Sequence, residues 1–356
     1  MRYLPFVLIV VAAPALVGFV GTASAGSAPA PQSGKDKWSV QPTQVDGQTL
    51  VVRMNLSALD FVGDAAHPVR VDVAVPFIQP HPGGLNSQAE AEELWQIEDR
   101  LVPLFTAHDD ARLVLVTRGR GQRLFQLYAR SADTAKRAFA TLQAATSDRT
   151  LKLTTAPDPT WSAYREAAFP NESAFWRWFR DHETALQAMH TSQEPIAEQL
   201  IAELHKIDSH LTIEVQATAG PRRDLIISAD GVREAFPAVR RLVALAPSSQ
   251  KWNIIGFRPR SGAPTIEIGD VTLKASAVWF RVDRRLPGGP LDLTFFVAGV
   301  APERAMQAFY LLLDATLGEF DVETRLRKID LLPAPADPTR QGLLPLSRLT
   351  AVVDQR

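Results

Sequence analysis

At 356 residues with 46% hydrophobic side chains, the chain is long enough to bury a substantial core and to form two domains. Lys and Arg total 38 against 39 Asp and Glu, so the broad positive field of most nucleic-acid and anionic-membrane binders is excluded. Cysteine is absent, which also excludes disulfides, thiolate zinc sites, cysteine nucleophiles and a lipidated N-terminal cysteine.

The N-terminus points to export. Arg2 supplies a positive start, Leu4 to Val20 an apolar run, and Ala23-Ser24-Ala25 a small-residue cleavage site. This pattern predicts a signal peptide over residues 1–25, cleaved after Ala25, and a periplasmic or secreted protein. An uncleaved N-terminal anchor is the alternative, because the run is of borderline length for a span, although Pro14 and Gly18 weaken it. Residues 26–37 are small, polar and Pro-containing and read as a flexible linker.

A first domain is expected over residues 38–160. Thr49 to Leu56 and Val69 to Ile78 alternate as strands. Asn86 or Ser87 can cap a helix, with Glu90 as a capping-box partner. Along that helix Leu94, Ile97, Leu101, Leu104 and Phe105 share one face. Strands at Arg112 to Thr117 and Arg123 to Arg130, a helix from Ala132 to Ala145 and a strand from Thr150 to Thr154 complete the unit. Without its first strand the order is β-α-β-β-α-β. The fold class expected is therefore α+β: a ferredoxin-like antiparallel sheet with helices on one face and an extra N-terminal strand.

The carrying residues of a resemblance are Gly84-Leu85-Asn86-Ser87-Gln88 with Glu90 and Glu93, then Ile97-Glu98-Asp99-Arg100-Leu101. They continue through Thr117, Gly119, Arg123, Phe125 and Tyr128 to Asp158-Pro159-Thr160-Trp161-Ser162-Ala163-Tyr164. On these, residues 38 to about 166 resemble the bacterial family catalogued as domain of unknown function 695. The resemblance implies a shared fold and brings no established chemistry. Related architectures sometimes carry a neighbour similar to a ribonuclease-inhibiting regulator, which implies a protein-binding role in the cytoplasm.

A second α+β domain is expected over residues 161–335, entered through an aromatic-rich helical segment. Trp161, Tyr164, Phe169, Phe175, Trp176, Trp178 and Phe179 could form a ligand platform, but at helical spacing a buried stripe joining the domains is the simpler reading. Helices are expected from Asn171 to about Met189 and from Pro195 to Ile207, then Val232 to Leu245 and Pro302 to Leu317. Strands are expected at 211–217, 224–228, 252–257, 265–268, 271–281, 291–297 and 322–332, again as helices over an antiparallel sheet. Residues 336–356 read as an extended C-terminal tail.

No constellation of reactive groups outweighs a structural explanation. The seven histidines (His67, His81, His108, His182, His190, His205, His210) form neither H-E-x-x-H nor a pair four apart. Glu98 and Asp99 point about 100° apart on a helix and make no carboxylate dyad; Glu98 is placed to pair with Arg118 or Arg123. Ser228-Ala229-Asp230-Gly231 lacks the glycines of a nucleophile elbow and reads as a turn with Asp230 capping a helix. The turn from Arg118 to Arg123 lacks a phosphate-loop frame and reads as a charged hairpin turn. No catalytic, cofactor-binding or metal residue and no cofactor is assigned. The expectation is an exported binding or interaction module of the cell envelope, with a protein partner or small-molecule ligand, no nucleic acid, and no membrane contact beyond the anchor alternative. The rivals are an envelope hydrolase with an unrecognised site and a ribonuclease-inhibitor-type regulator.

Overall fold

The computed structural model describes residues 36–355 apart from Asp46, Pro82, Ala219, Ala263, Leu286 and Gly288. The signal peptide and most of the linker therefore lie outside the described residues. Among those described, the chain divides into two compact units between Ala174 and Phe175, later than the expected boundary at 160. No helix among them is long and apolar enough to cross a membrane.

The first unit runs through β1 (Trp38–Val45), β2 (Gln48–Asn55), β3 (Val69–Pro76), α1 (Gln88–Thr106), β4 (Ala111–Gly119), β5 (Gln122–Ala129), α2 (Ala132–Ala144), β6 (Lys152–Pro157) and α3 (Ser162–Ala168). The strands form one six-stranded sheet in the order β1-β2-β4-β5-β3-β6, with every pair antiparallel. Two strands, not one, precede the β-α-β-β-α-β series. Trp38–Val45 was not expected as a strand, because Gln41, Pro42, Thr43 and Gln44 break its apolar alternation.

Helix α1 forms where the sequence places it. Ser87 Oγ accepts the Glu90 amide hydrogen at 3.2 Å, so the N-terminus is capped. Leu94, Ile97, Leu101 and Phe105 then bury against Val71, Val73, Val116, Phe125 and Leu127 of the sheet. The Glu90 carboxylate does not close a capping box. It accepts from the Ile78 amide at 2.7 Å and pairs with Arg149 at 2.8 Å. Ser87→Ala is expected to cost about 1 kcal/mol, the usual worth of a cap, read from a urea melt of the full chain.

Helices do not cover one face alone. Phe125 and Leu127 face α1, so Tyr128 faces the other way, where it stacks on Trp161 with ring centres 4.2 Å apart. The Tyr128 hydroxyl donates to Asp158 Oδ2 at 2.7 Å, and the Trp161 indole donates to the His67 carbonyl at 3.0 Å. The Tyr164 hydroxyl donates to the Asn55 carbonyl at 2.6 Å. This knot fixes α3 on the second face of the sheet. The one-face expectation is corrected by these three aromatic residues, whose polar tips each find a buried partner.

The second unit begins within α4 (Pro170–Asp181) and continues through α5 (Glu183–Ala188), α6 (Pro195–His205), β7 (Thr212–Ala217), β8 (Arg223–Ser228), α7 (Phe236–Ala244) and β9 (Trp252–Gly256). Next come β10 (Thr265–Ile268), β11 (Val271–Lys274), β12 (Val278–Arg285), β13 (Leu291–Val297), α8 (Pro302–Leu317), α9 (Glu319–Arg325), β14 (Leu326–Pro333), β15 (Leu344–Pro345) and α10 (Leu349–Asp354). Three sheets result: β7-β8-β9, β14-β13-β12-β15 and the hairpin β10-β11.

A wholly antiparallel sheet was expected here, and that is corrected. β8 pairs parallel with β9, and β13 pairs parallel with β14. In each case a helical connection carries the chain back before the next strand, as a parallel pair requires. The extended tail is also corrected. Leu346, Leu349 and Val353 are buried in the core around Phe280, Phe295 and Phe309, and β15 adds to the edge of β12. Their spacing of three and four lays one apolar face of a short helix on that core.

Candidate functional site

The residues singled out from the sequence scatter. His67 is fully buried, with Nδ1 2.8 Å from Asp64 Oδ2 and Nε2 2.8 Å from the Asp109 carbonyl. His182 stacks on Trp178 and sits 2.8 Å from its carbonyl; His210 pairs with Asp208. His81, His108 and His190 are exposed. Among the described residues no group of three or more acidic or histidine side chains is placed to hold a metal. Phe175, Trp176 and Phe179 are buried in the second unit, where Phe179 meets Trp252 and the Trp176 indole donates to the Leu242 carbonyl.

Asp230 does not cap a helix. It and Gly231 both turn through the left-handed region (φ 50° and 79°), and the next helical turn starts only at Arg233. Its carboxylate instead reaches Arg258. The turn after Gly119 is a two-residue hairpin, with Arg120 and Gly121 both at positive φ. Gly119 is required there, since a Cβ would lie 2.5 Å from the Leu50 side chain and 2.7 Å from the Thr49 carbonyl.

Two clusters of charge stand out from these structural fixtures. The first is on the α1 face of the first sheet. Arg53 of β2 lies opposite Val116 of β4, and Arg118 of β4 lies opposite Arg123 of β5. Val116 and Phe125 face α1, so all three arginines share that face. Glu98 of α1 pairs with both Arg53 and Arg123. Of the two alternatives the sequence offers, Arg118 or Arg123, Glu98 takes Arg123, and it pairs with Arg53 as well. Trp38 and Trp95 enclose the group: the Arg53 guanidinium lies 4.9 Å from the first ring and 5.4 Å from the second, and that of Arg123 lies 3.9 Å from Trp95.

This cluster is poor in negative charge. Arg118 is half-buried and makes no ion pair among the described residues. Burial lowers its pKa, and burial pushes that of Arg123 down to about 10; Glu98 opposes the second effect, while Arg53 and Arg118 add to it. The Nε atoms of Arg53, Arg118 and Arg123 and the Trp38 indole nitrogen are all buried without an acceptor. Like charges directly opposite on neighbouring strands are destabilising, and so are unmet buried donors.

The second cluster belongs to the second unit and has the opposite balance. Arg258, 7% exposed, pairs with Glu214, with Asp230 at 2.9 Å and with Asp314 at 3.4 Å. Glu319 accepts from the amides of Ala229 and Arg258 at 2.9 and 3.0 Å. Burial acts to lower the Arg258 pKa, but Glu214, Glu319 and Asp230 outweigh it and hold the guanidinium above its ordinary value. A pocket of about 250 Å3 in the first unit is lined by Asp36, Asn55, Phe61, Thr106, Asp109 and Arg112, among others. Its guanidinium is already engaged, with Asp109 at 3.1 Å and the Phe61 ring at 3.7 Å.

The arginine cluster lies in the part of the chain that has relatives. Residues 36–168 match the family of unknown function DUF695. That match covers the whole six-stranded sheet together with α1 and α2. No curated protein and no solved structure matches the chain.

Proposed function

We propose that this is an exported, non-catalytic binding module of the bacterial cell envelope, with the arginine–tryptophan cluster of its DUF695-like unit as the contact site. The observation that carries the reading is the make-up of that cluster. Guanidiniums held under indole rings recognise and orient a partner, and arginine does not exchange protons in the physiological range. Keeping a cation without a counter-charge half-buried costs stability, and such departures from local optimisation collect at functional sites. The signal-like N-terminus, Arg2 to Ala25, supports export. We also infer a ferredoxin-like core in this unit, supported by the antiparallel order β4-β5-β3-β6 with α1 and α2 on one face.

One observation favours a hydrolase instead: burial pushes the Asp314 carboxyl up to about 7, close to the partly exposed Asp230. Both carboxylates are held on Arg258, and a role in stability accounts for them. The test of the binding reading is native mass spectrometry of tagged protein purified gently from its own envelope fraction. A mature chain starting at Gly26 with a stoichiometric partner or ligand is expected. A bare chain, or one starting at Met1 in the cytoplasm, contradicts it.

A further inference from the structure

We propose that the arginine cluster of the first unit is a binding site for an oxyanion, the carboxylate or phosphate group of a small soluble ligand. This rests on the binding-module reading above and gives it a ligand chemistry. Among the described residues, three arginines (Arg53, Arg118, Arg123) share one face of the sheet, and the Glu98 carboxylate there pairs with Arg53 and Arg123. Arg118 is directly opposite Arg123 and has no counter-ion there. Arg123 is 4% exposed, so its charge is largely removed from solvent screening. Four donors in this one cluster, the Nε of each arginine and the Trp38 Nε1, are buried without an acceptor.

What the cluster lacks is negative charge and acceptor oxygens at the same place, and an oxyanion supplies both. The planar fork of a guanidinium matches the paired oxygens of a carboxylate or phosphate, which a monatomic anion cannot bridge. Trp38 and Trp95 restrain Arg53 and Arg123 by stacking, so little side-chain freedom is left to lose on binding. Arg118, the half-buried member, is the point of entry. Glu98 keeps the remaining pair neutralised enough for the unit to fold without a ligand.

The test is calorimetric titration and thermal melting of the full chain with inorganic phosphate and with acetate, each against chloride at equal ionic strength. Saturable binding and a raised melting temperature are expected with phosphate, acetate or both, and not with chloride; which of the two acts separates phosphate from carboxylate ligands. In Arg118→Met the dissociation constant rises about tenfold or more, the worth of one charge-assisted hydrogen-bonding pair. Without added oxyanion the same variant melts at or above the wild-type temperature, because a like-charge pair has been removed. Arg118→Lys keeps the charge but loses the fork, and it binds more weakly than wild type at an unchanged melting temperature. No oxyanion effect beyond chloride, or equal binding by wild type and both Arg118 variants, overturns the proposal. A protein partner captured alike by wild type and Arg118→Met removes the oxyanion assignment and leaves the binding-module reading standing.

Discussion

Arg258→Met is expected to destabilise the second unit by about 3–5 kcal/mol, the usual result of removing one partner from a buried ion pair. Arg258 is the cation at the centre of Glu214, Asp230 and Asp314, and Glu214 and Asp314 are 4% and 8% exposed. Taking the guanidinium away leaves the buried carboxylates of Glu214 and Asp314 without their shared cation, with the Glu319 carboxylate nearby. They must then take up protons or draw in water, and either response works against the close packing of this region. The elements joined there are distant in sequence: Glu214 on β7, Asp314 on α8 and Glu319 on α9. Loss of the clamp therefore loosens the three-stranded sheet from the α8–α9 corner within the unit. A urea melt at pH 7 followed by tryptophan fluorescence reads the loss, and adding Glu214→Gln to Arg258→Met recovers part of it. A change below 1 kcal/mol would mean that the carboxylates do not depend on this cation.

Asp314→Asn is expected to act in the opposite direction above neutral pH. Burial pushes the Asp314 carboxyl up to about 7 from its ordinary 3.8; Arg258 opposes the rise, and Glu319 and Asp230 add to it. A carboxyl whose pKa is raised by folding contributes stability that is fully present below about pH 4. That contribution is lost as pH climbs through 7. At about 1.4 kcal/mol for each tenfold change in proton affinity, ionised Asp314 costs the fold on the order of 4 kcal/mol at pH 8. Asparagine cannot ionise and keeps nearly the same shape. The variant should match wild type within about 1 kcal/mol at pH 4, exceed it by about 1–2 kcal/mol at pH 5 and by several at pH 8. Taking the difference between the two proteins at each pH cancels the groups they share, including the carboxylates of Asp292 and Asp354, which Arg327 and Arg260 hold below their ordinary range. A difference that does not vary between pH 5 and 8 would show that Asp314 is ionised throughout.

Local chemistry was legible in the sequence, and partnership over distance was not. The Ser87 cap, the α1 stripe from Leu94 to Phe105 and the hairpin across Arg120-Gly121 are each set by residues within one turn of one another. The parallel pairs were missed because a strand's own pattern does not name its neighbour. Leu291–Val297 nevertheless carried a signal, since every residue of it is buried and a long helix follows, as in sheets covered on both faces. In the C-terminal segment the prolines at 333, 335 and 338 drew the reading toward an extended tail, although Leu346, Leu349 and Val353 already had helical spacing.

The candidate site divides in the same way. The helix–hairpin pattern alone narrows the partner of Glu98 to Arg118 or Arg123, and the structure selects Arg123. Arg53 lies 45 residues before Glu98, and only the antiparallel pairing of β2 with β4 brings it alongside. Its one local sign was a charged residue inside the apolar run Leu50-Val51-Val52-Arg53-Met54. Arg258 gave still less warning, because its carboxylates come from a strand, a loop and two helices spread over about a hundred residues.

The most direct measurement is a crystal structure of the full mature chain grown in inorganic phosphate. A phosphate bridging the Arg118 and Arg123 guanidiniums within hydrogen-bond distance is expected, with Glu98 still paired to Arg53 and Arg123. An Arg118 side chain turned into solvent, with phosphate bound only elsewhere, would contradict it.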